Sequence, residues 1–519
     1  MKKVQLLWAD DEIDLLRPHI LFLEEKGYSV STASNGDDAI ELVQKNNFDL
    51  IFLDENMPGL SGMETLGKIK LLQPGVPVVM ITKSEEEDIM DAAIGSQIAD
   101  YLIKPVNPNQ ILLSIKKNVD NKKLITSITT SGYQSQFGNI GQQISQAGDF
   151  DGWVEIYNRI LYWELELEKS QDNSMLEVFQ MQKNEANVEF GKFIKSNYLN
   201  WLKPDSVQKP LLSPSIMRNV VFPEFKKSEQ IVFILIDNLR LDQWKTLQLA
   251  INEYYNVDQE KAYCSILPTS TQYARNAIFS GLMPISIQEL YPDIWLNDDE
   301  EGNKNTFEET LLKSQLQRNG IKSKVYFEKI FNTKSGVKIV ENLSNILQNE
   351  FVVLIYNFVD MLSHANTDTE MIRELASNDS AYRSLTLSWF QHSHLVELFK
   401  ELAAKNVRIV LTTDHGTIRV NRPVKVIGDK STSKNLRYKL GKNLSYNPKE
   451  VFEISNPEKA YLPKSSISSK YIFALNTDFF AYPNNFNYYV NYYTNTYQHG
   501  GISMEEMILP LIVLKSKQF

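Results

Sequence analysis

Over the first 120 residues, short apolar runs alternate with stretches of helical periodicity, and acidic residues stand where the apolar runs stop. Val4–Trp8, Tyr28–Thr32, Leu50–Leu53, Val76–Ile81 and Asp100–Ile103 read as five buried strands. Ile13–Lys26, Gly36–Lys45, Gly62–Leu72, Glu85–Ile94 and Asn109–Val119 read as the helices between and after them. Strict βα alternation with strands apolar on both faces predicts a parallel, doubly wound (βα)5 sheet. Such a sheet presents its ligand groups at the carboxyl ends of its strands.

The rest of the chain divides in two. Residues 121–208 contain no proline before Pro204 and carry apolar residues at helical spacing in Trp153–Lys169 and Met175–Asn197. They predict a small helical bundle or linker, whose Ser/Thr/Gln/Gly-rich stretch 121–149 begins as linker. Residues 209–519 open on a Pro-containing loop, Leu211–Pro223, and continue with strands at Ile231–Ile236, Lys324–Phe327, Phe351–Phe358, Val407–Leu411, Tyr471–Leu475 and Met507–Leu514. Helices intervene, so a second and larger α/β domain is expected. The domain reading is therefore 1–120, 121–208 and 209–519.

Composition narrows the function classes. A net charge of −10 argues against wholesale coating of nucleic acid, though not against a local basic site. The single cysteine, Cys264, excludes an internal disulfide framework and a four-thiolate zinc site. Apolar runs are too short for membrane insertion, and the residues before Asp10-Asp11-Glu12 are too few for a signal-peptide core, so the cytoplasm is the expected compartment.

At the predicted strand ends of the first domain stand Asp10 and Asp11, Asp54, Thr82, and Lys104-Pro105. Carboxylates gathered on one edge repel one another unless a divalent cation lies among them, and oxygen-only ligands favour Mg²⁺. This segment resembles the receiver domain of bacterial response regulators, through the acidic pair, the central aspartate in Leu53-Asp54-Glu55-Asn56-Met57-Pro58-Gly59, the Thr and the Lys-Pro. The resemblance implies that Asp54 accepts phosphate from a sensor histidine kinase. It further implies that Asp11 and Asp54 hold Mg²⁺, with Asp10 through water and the Asn56 carbonyl as a further ligand. Thr82, Tyr101 and Lys104 take the switch positions.

The third segment holds a different set. Asp237 ends the strand Ile231–Ile236, Asp360 and His364 form D-x-x-x-H beyond Phe351–Phe358, Asp414-His415-Gly416 follows Val407–Leu411, and His499 precedes the final strand. Mixed Asp/His ligation suits Zn²⁺, or else Mn²⁺, and six ligands divide into two sites of three. Paired metals clamp the attacking and leaving oxygens of a phosphoryl transfer. Pro268-Thr269-Ser270-Thr271 precedes a helical pattern, which places a hydroxyl nucleophile at a helix N-terminus that favours a phosphoryl anion. This order resembles the alkaline phosphatase superfamily in its nucleotide pyrophosphatase/phosphodiesterase branch. By that resemblance Thr271 is the nucleophile. Asp360, His364 and His499 hold one metal, and Asp237, Thr271, Asp414 and His415 hold the other. Cys264 does not stand in a sulfatase context, and no insertion of the phosphoglycerate mutase kind is seen. His19, His392 and His394 read as ordinary histidines.

The stretch Arg419–Lys442 carries a charge of +7 and Tyr471–Tyr497 holds eleven Tyr or Phe. A solvated loop and core packing explain these equally simply. Beside a phosphodiesterase-like site they favour a cyclic or single-stranded oligonucleotide substrate. Asn276 (or Arg275), Arg422, Lys425 and Lys434 are the candidate substrate contacts. The alternatives are a phosphomonoesterase, or a catalytically weak domain that serves as a scaffold for a transcription factor such as a sigma factor or for a secretion component. No helix-turn-helix signature supports direct DNA regulation. Taken whole, the chain resembles the PglZ-type response regulators of Bacteroidetes, which implies a sensor histidine kinase partner, homodimerisation on phosphorylation and control of type IX secretion.

Overall fold

The computed structural model describes residues 3–83, 98–170, 175–298, 300–429, 432–464, 466 and 468–517, with side chains 120–128 left aside. Two compact units emerge, Met1–Gln136 with Glu166–Met175, and Phe137–Leu165 with Leu176–Phe519.

In the first unit, β1 (Gln5–Ala9), β2 (Ser29–Ala33), β3 (Leu50–Asp54), β4 (Val78–Thr82) and β5 (Asp100–Ile103) form one parallel sheet in the order β2-β1-β3-β4-β5. Side chains alternate across a strand, so both faces must be apolar for both to be covered. Leu6, Trp8, Phe52 and Ile81 enter one core, while Leu7, Ala9, Ile51 and Leu53 enter the other. The helices Gly36–Lys45 and Gly62–Leu72 stand where the periodicity puts them. The second starts on a reciprocal Ser61/Glu64 capping box, which satisfies two otherwise unpaired amides. A Cβ on Gly62 would lie 2.5 Å from the Asp54 carbonyl, so only glycine lets this helix approach the end of β3. The expected helix Glu85–Ile94 lies outside the described residues.

The stretch 121–149 is helical almost throughout, because Asn121–Gln146 is one helix. Its Ser, Thr and Gln residues mask a weak stripe in which Tyr133, Ile140 and Ile144 are buried.

The second unit is built on β6 (Ile231–Ile236), β7 (Tyr255–Cys264), β8 (Val325–Ile330), β9 (Phe351–Tyr356) and β10 (Arg408–Thr412). The shorter strands β11 (Ile418–Arg419), β12 (Arg422–Lys425), β13 (Tyr438–Gly441), β14 (Val451–Ile454), β15 (Lys470–Ala474), β16 (Asp478–Ala481) and β17 (Tyr497–Gln498) come next, and β18 (Ile508–Ser516) closes the chain. The main sheet runs β7-β18-β10-β6-β9-β8, with β10, β6, β9 and β8 parallel and β18 antiparallel to β10 and β7. The strand β7 is absent from the sequence reading because it is an edge strand buried only at its ends, with a largely polar, exposed or half-buried middle and no apolar run.

Helix Leu176–Trp201 packs in this same unit, with Trp153 against Phe190 at 5.4 Å and Phe193 at 5.9 Å. It carries Lys183, 3% exposed, into a set of carboxylates: Glu164 at 3.1 Å, Asp379 at 3.2 Å and Glu505 at 3.5 Å. Burial by itself would push the Lys183 ammonium towards neutrality, but these three carboxylates outweigh it and raise its pKa. Among the described residues no helix is long and apolar enough to cross a membrane.

Candidate functional site

On the strand-end edge of the first unit, Lys104 Nζ lies 2.9 Å from Asp10 Oδ2 and 2.9 Å from Asp54 Oδ1. Asp54 is 2% exposed; burial raises its pKa, Lys104 opposes the rise and Asp10 adds to it. Lys104 is itself discouraged from ionising by burial, yet Asp10 and Asp54 outweigh that and hold its pKa above the ordinary lysine value. Oxygen atoms of Asp10, Asp11 and Glu12 converge within 4.8 Å, a donor set of the kind Mg²⁺ takes. Glu12 is a neighbour the sequence reading left out, although it adjoins the acidic pair. Thr82 is buried at the end of β4, Tyr101 packs partly buried against the core, and Asn56 stands exposed in the turn after β3.

In the second unit, β9, β6 and β10 are parallel neighbours, so the residues just past their carboxyl ends share one edge. Asp237 comes directly after β6, Asp360 and His364 lie in the helix Phe358–Asp368 after β9, and Asp414-His415 come after β10. His499 joins from the turn after β17. Two tight clusters result, Asp237/Asp414/His415 and Asp360/His415/His499, each with ligand atoms within 4.8 Å of one another. His415 belongs to both, which the sequence reading did not foresee. His364 stays outside the tight clusters: its side chain is 64% exposed, with Nε2 3.5 Å from Asp360 Oδ2. Helical i, i+4 spacing brings it to the same face as Asp360, with its ring centroid 6.1 Å from that of His499.

The imidazoles are held from behind. His415 Nδ1 lies 3.1 Å from the Gly416 carbonyl and His499 Nδ1 lies 3.1 Å from the Thr269 carbonyl, which leaves each Nε2 towards the carboxylates. The two rings stack with centroids 4.2 Å apart. Burial, with His415 and His364 adding like charge, pushes the His499 pKa well below its usual value. A Cβ on Gly416 would lie 2.0 Å from the Glu505 carbonyl, so glycine is required beside this ligand. Thr271 opens the helix Thr271–Ser280 and its Oγ1 lies 3.0 Å from His415 Nε2. Thr269 is fully buried, donating to the Gly501 carbonyl and accepting from Gly500 N–H.

Arg275 is the residue whose importance the sequence understates. Its Nε donates to Asp414 Oδ2 at 2.9 Å, it ion-pairs with Asp237, and its Nη1 lies 3.6 Å from Glu308. Burial works against ionisation of Asp414, but the Arg275 guanidinium outweighs it and holds the carboxyl well below the usual range. Asp237 moves the other way, because burial dominates despite Arg275. Asp237 Oδ1 is buried with no hydrogen-bond partner. An orphaned carboxylate oxygen among imidazole nitrogens and further carboxylates fits a Zn²⁺ or Mn²⁺ ion.

The substrate-contact candidates are placed less simply. The Asn276 amide donates to the Gln272 and Lys304 carbonyls and accepts from Asn305, so it fastens a loop, and its neighbour Arg275 is the one that reaches the carboxylates. Arg422 is paired with Asp478, 2.6 Å at both Nε and Nη2, and Lys425 lies over the Phe486 ring at 4.9 Å. Lys434 is exposed, Lys439 is buried, and Arg437 pairs with Glu506 in full burial; Lys430 lies outside the described residues. Much of the basic stretch is therefore compensated internally. Of the aromatic run, Tyr471, Phe473, Phe479, Phe480 and Tyr497 are core residues, while Tyr488 is exposed.

Family models match three consecutive segments of the chain. Residues 6–116 match the response regulator receiver domain, 123–202 the PorX response regulator linker domain, and 216–514 the BREX system PglZ alkaline phosphatase-like domain. The transcriptional regulatory protein ZraR of Klebsiella oxytoca is 34% identical over 27% of this chain and 32% of its own length. The alginate biosynthesis transcriptional regulatory protein AlgB of Pseudomonas syringae is 36% identical over 23% of the chain and 27% of its own. The chain thus spans under a third of these curated relatives. A CheY-like response regulator receiver domain protein from Methanospirillum hungatei is 28% identical over 23% of this chain and 96% of its own, at a TM-score of 0.23.

Proposed function

The chain belongs to the PglZ alkaline phosphatase-like family, with a response regulator receiver and a PorX-type linker ahead of that domain, and from this premise we propose that its output domain is a metal-dependent phosphodiesterase acting on cyclic or short linear oligonucleotides. The observation that carries this reading is the Thr271 hydroxyl 3.0 Å from His415 Nε2, the imidazole common to both carboxylate clusters.

In this reading Asp237, Asp414 and His415 hold one Zn²⁺, and Asp360 and His499, with His364 at the rim, hold the other. When bound, the metals polarise the phosphoryl oxygens and acidify the nucleophile's hydroxyl. Thr271 attacks phosphorus, the alcohol leaves, and water releases the monoester in a second displacement. The amides at the start of the helix Thr271–Ser280 face the phosphoryl anion with a favourable dipole. Arg275 keeps the Asp237 and Asp414 carboxylates in place, and Lys425 and Lys434 add charge that draws a polyanion.

The receiver takes phosphate on Asp54 from a sensor histidine kinase, with Mg²⁺ held by Asp10, Asp11, Asp54 and the Asn56 carbonyl. Thr82, Tyr101 and Lys104 then reposition and favour a homodimer. The resemblance to PglZ-type response regulators supports a role in controlling type IX secretion from the cytoplasm.

Metal content, together with hydrolysis of bis-p-nitrophenyl phosphate against the mono-ester, tests the enzyme reading. The diester should turn over faster. The Arg275 ion pairs favour one second reading, a domain that binds without turnover, and bound zinc with neither ester cleaved would establish it.

A further inference from the structure

A cavity of about 300 Å³ opens at the carboxyl ends of β8 and β9. Its wall includes Phe331, Phe358, Trp389, His392 and His394. The residues at the end of β9 and just past it divide between this cavity and the metal centre. Asn357 donates to Asp237 Oδ2 at 3.2 Å and Asp360 enters a metal cluster, whereas Tyr356 and Phe358 line the cavity. The two sites therefore share one turn of backbone.

The lining combines flat apolar surface with a few polar groups, the usual make-up of a small-molecule site. Phe358 and Trp389 stack at 4.5 Å and 3° and form a platform, and Phe331 is 53% exposed at the rim. Both imidazoles are oriented from behind: His392 Nδ1 lies 2.8 Å from the Ser388 carbonyl, and His394 Nδ1 lies 3.2 Å from Glu397 Oε2. In a neutral ring whose Nδ1 donates to such an acceptor, Nε2 accepts. Asn332, Thr333 and Ser393 add hydroxyl and amide groups. The cavity is at the small end of the ~300–1,000 Å³ range for ligand pockets, so it suits one ring system better than a length of chain. Neither lysine nor arginine is among its described lining residues, so a phosphate is a poor occupant.

We propose that this cavity binds the heteroaromatic base of a nucleotide next to the scissile phosphate, stacking it on the Phe358–Trp389 platform and reading its N–H groups through His392 and His394. The proposal rests on the phosphodiesterase reading and deepens it. It moves base recognition away from Tyr471–Tyr497, where Tyr471, Phe473, Phe479, Phe480 and Tyr497 fill the core.

The test uses the full chain loaded with zinc and titrates it calorimetrically with adenosine, guanosine, cytidine and uridine. These carry no phosphate, so they report on the cavity and not on the metals. At least one nucleoside should bind saturably, and His392→Ala and Trp389→Leu should each weaken it about tenfold, the scale of a lost base contact. His392 is exposed, so its variant should fold even if Trp389→Leu does not. The same variants should raise KM for a dinucleotide with kcat little changed. Absence of saturable nucleoside binding, or binding unchanged in His392→Ala, overturns the proposal. Nucleoside binding without cleavage of any dinucleotide would uphold the cavity and sink the phosphodiesterase reading.

Discussion

Arg275 Nε donates to Asp414 Oδ2 at 2.9 Å, inside the carboxylate set that would hold a metal. The guanidinium is 2% exposed and also pairs with Asp237 and Glu308, so it supplies positive charge where three buried acids meet. Arg275→Met should destabilise the metal-free protein by about 3–5 kcal/mol, the cost of leaving buried charge uncompensated. Zinc should restore more stability to this variant than to the wild type, because a metal there would supply the positive charge that Asp237 and Asp414 lose with the arginine. Melting temperatures with and without zinc check this; an equal zinc shift in both proteins would refute it.

Thr271 touches the proposed reaction, while its hydroxyl contributes little to packing. Thr271→Ala should lower diester turnover by about 10³-fold or more, with the fold and zinc at Asp360 and His499 retained. Full activity in this variant would exclude the covalent route through Thr271.

Lys183 joins Glu164, Asp379 and Glu505 in a nearly dry environment. Lys183→Met should cost about 3–5 kcal/mol in urea unfolding of the second unit, since three carboxylates lose a shared partner. Pairing it with Glu164→Leu should recover part of that loss. A cost below about 1 kcal/mol, the range of exposed ion pairs, would show the network to be solvated.

Burial lowers the Lys439 pKa from the ordinary 10.5 to about 8. A cation with a depressed folded pKa destabilises the fold at all pH values below that pKa, and the penalty fades as pH rises towards 10.5. The drop corresponds to about 3 kcal/mol. The Ser433 carbonyl at 2.9 Å and the Tyr482 ring at 4.8 Å offset some of it. Lys439→Met should therefore be more stable than wild type by about 1–3 kcal/mol at pH 7, and the difference should shrink between about pH 8 and 10. A constant difference across that window would place the ammonium in contact with water.

Asp54 should be labelled by acetyl phosphate with Mg²⁺, and Asp54→Ala should not. Beryllofluoride should then raise the light-scattering mass of the wild type towards that of a dimer. A mass that never changes would separate phosphorylation from assembly.

The sequence reached the elements whose signals are local. Apolar runs over Leu50–Leu53 and Ile231–Ile236 are buried on both faces, so they stand out without alternation, and Asp54 and Asp237 mark where they stop. The helix Asn121–Gln146 was obscured by polar residues with weak helix preference, and β7 by its edge position.

The main buried strands and the carboxylates and histidines at their ends were thus settled by the sequence alone, because periodicity and strand termination are properties of neighbouring residues. Only the tertiary structure decided that His415 serves both clusters and that Arg275 compensates Asp237 and Asp414. It also decided that Tyr471, Phe473, Phe479, Phe480 and Tyr497 go to the core and that Lys183 meets Glu505. These partners lie far apart along the chain and carry no pattern of their own. Asp237, Asp360, Asp414 and His415 meet because parallel strands bring distant termini to one edge, and the packed helices carry Arg275 and Lys183 to the buried charge they complement.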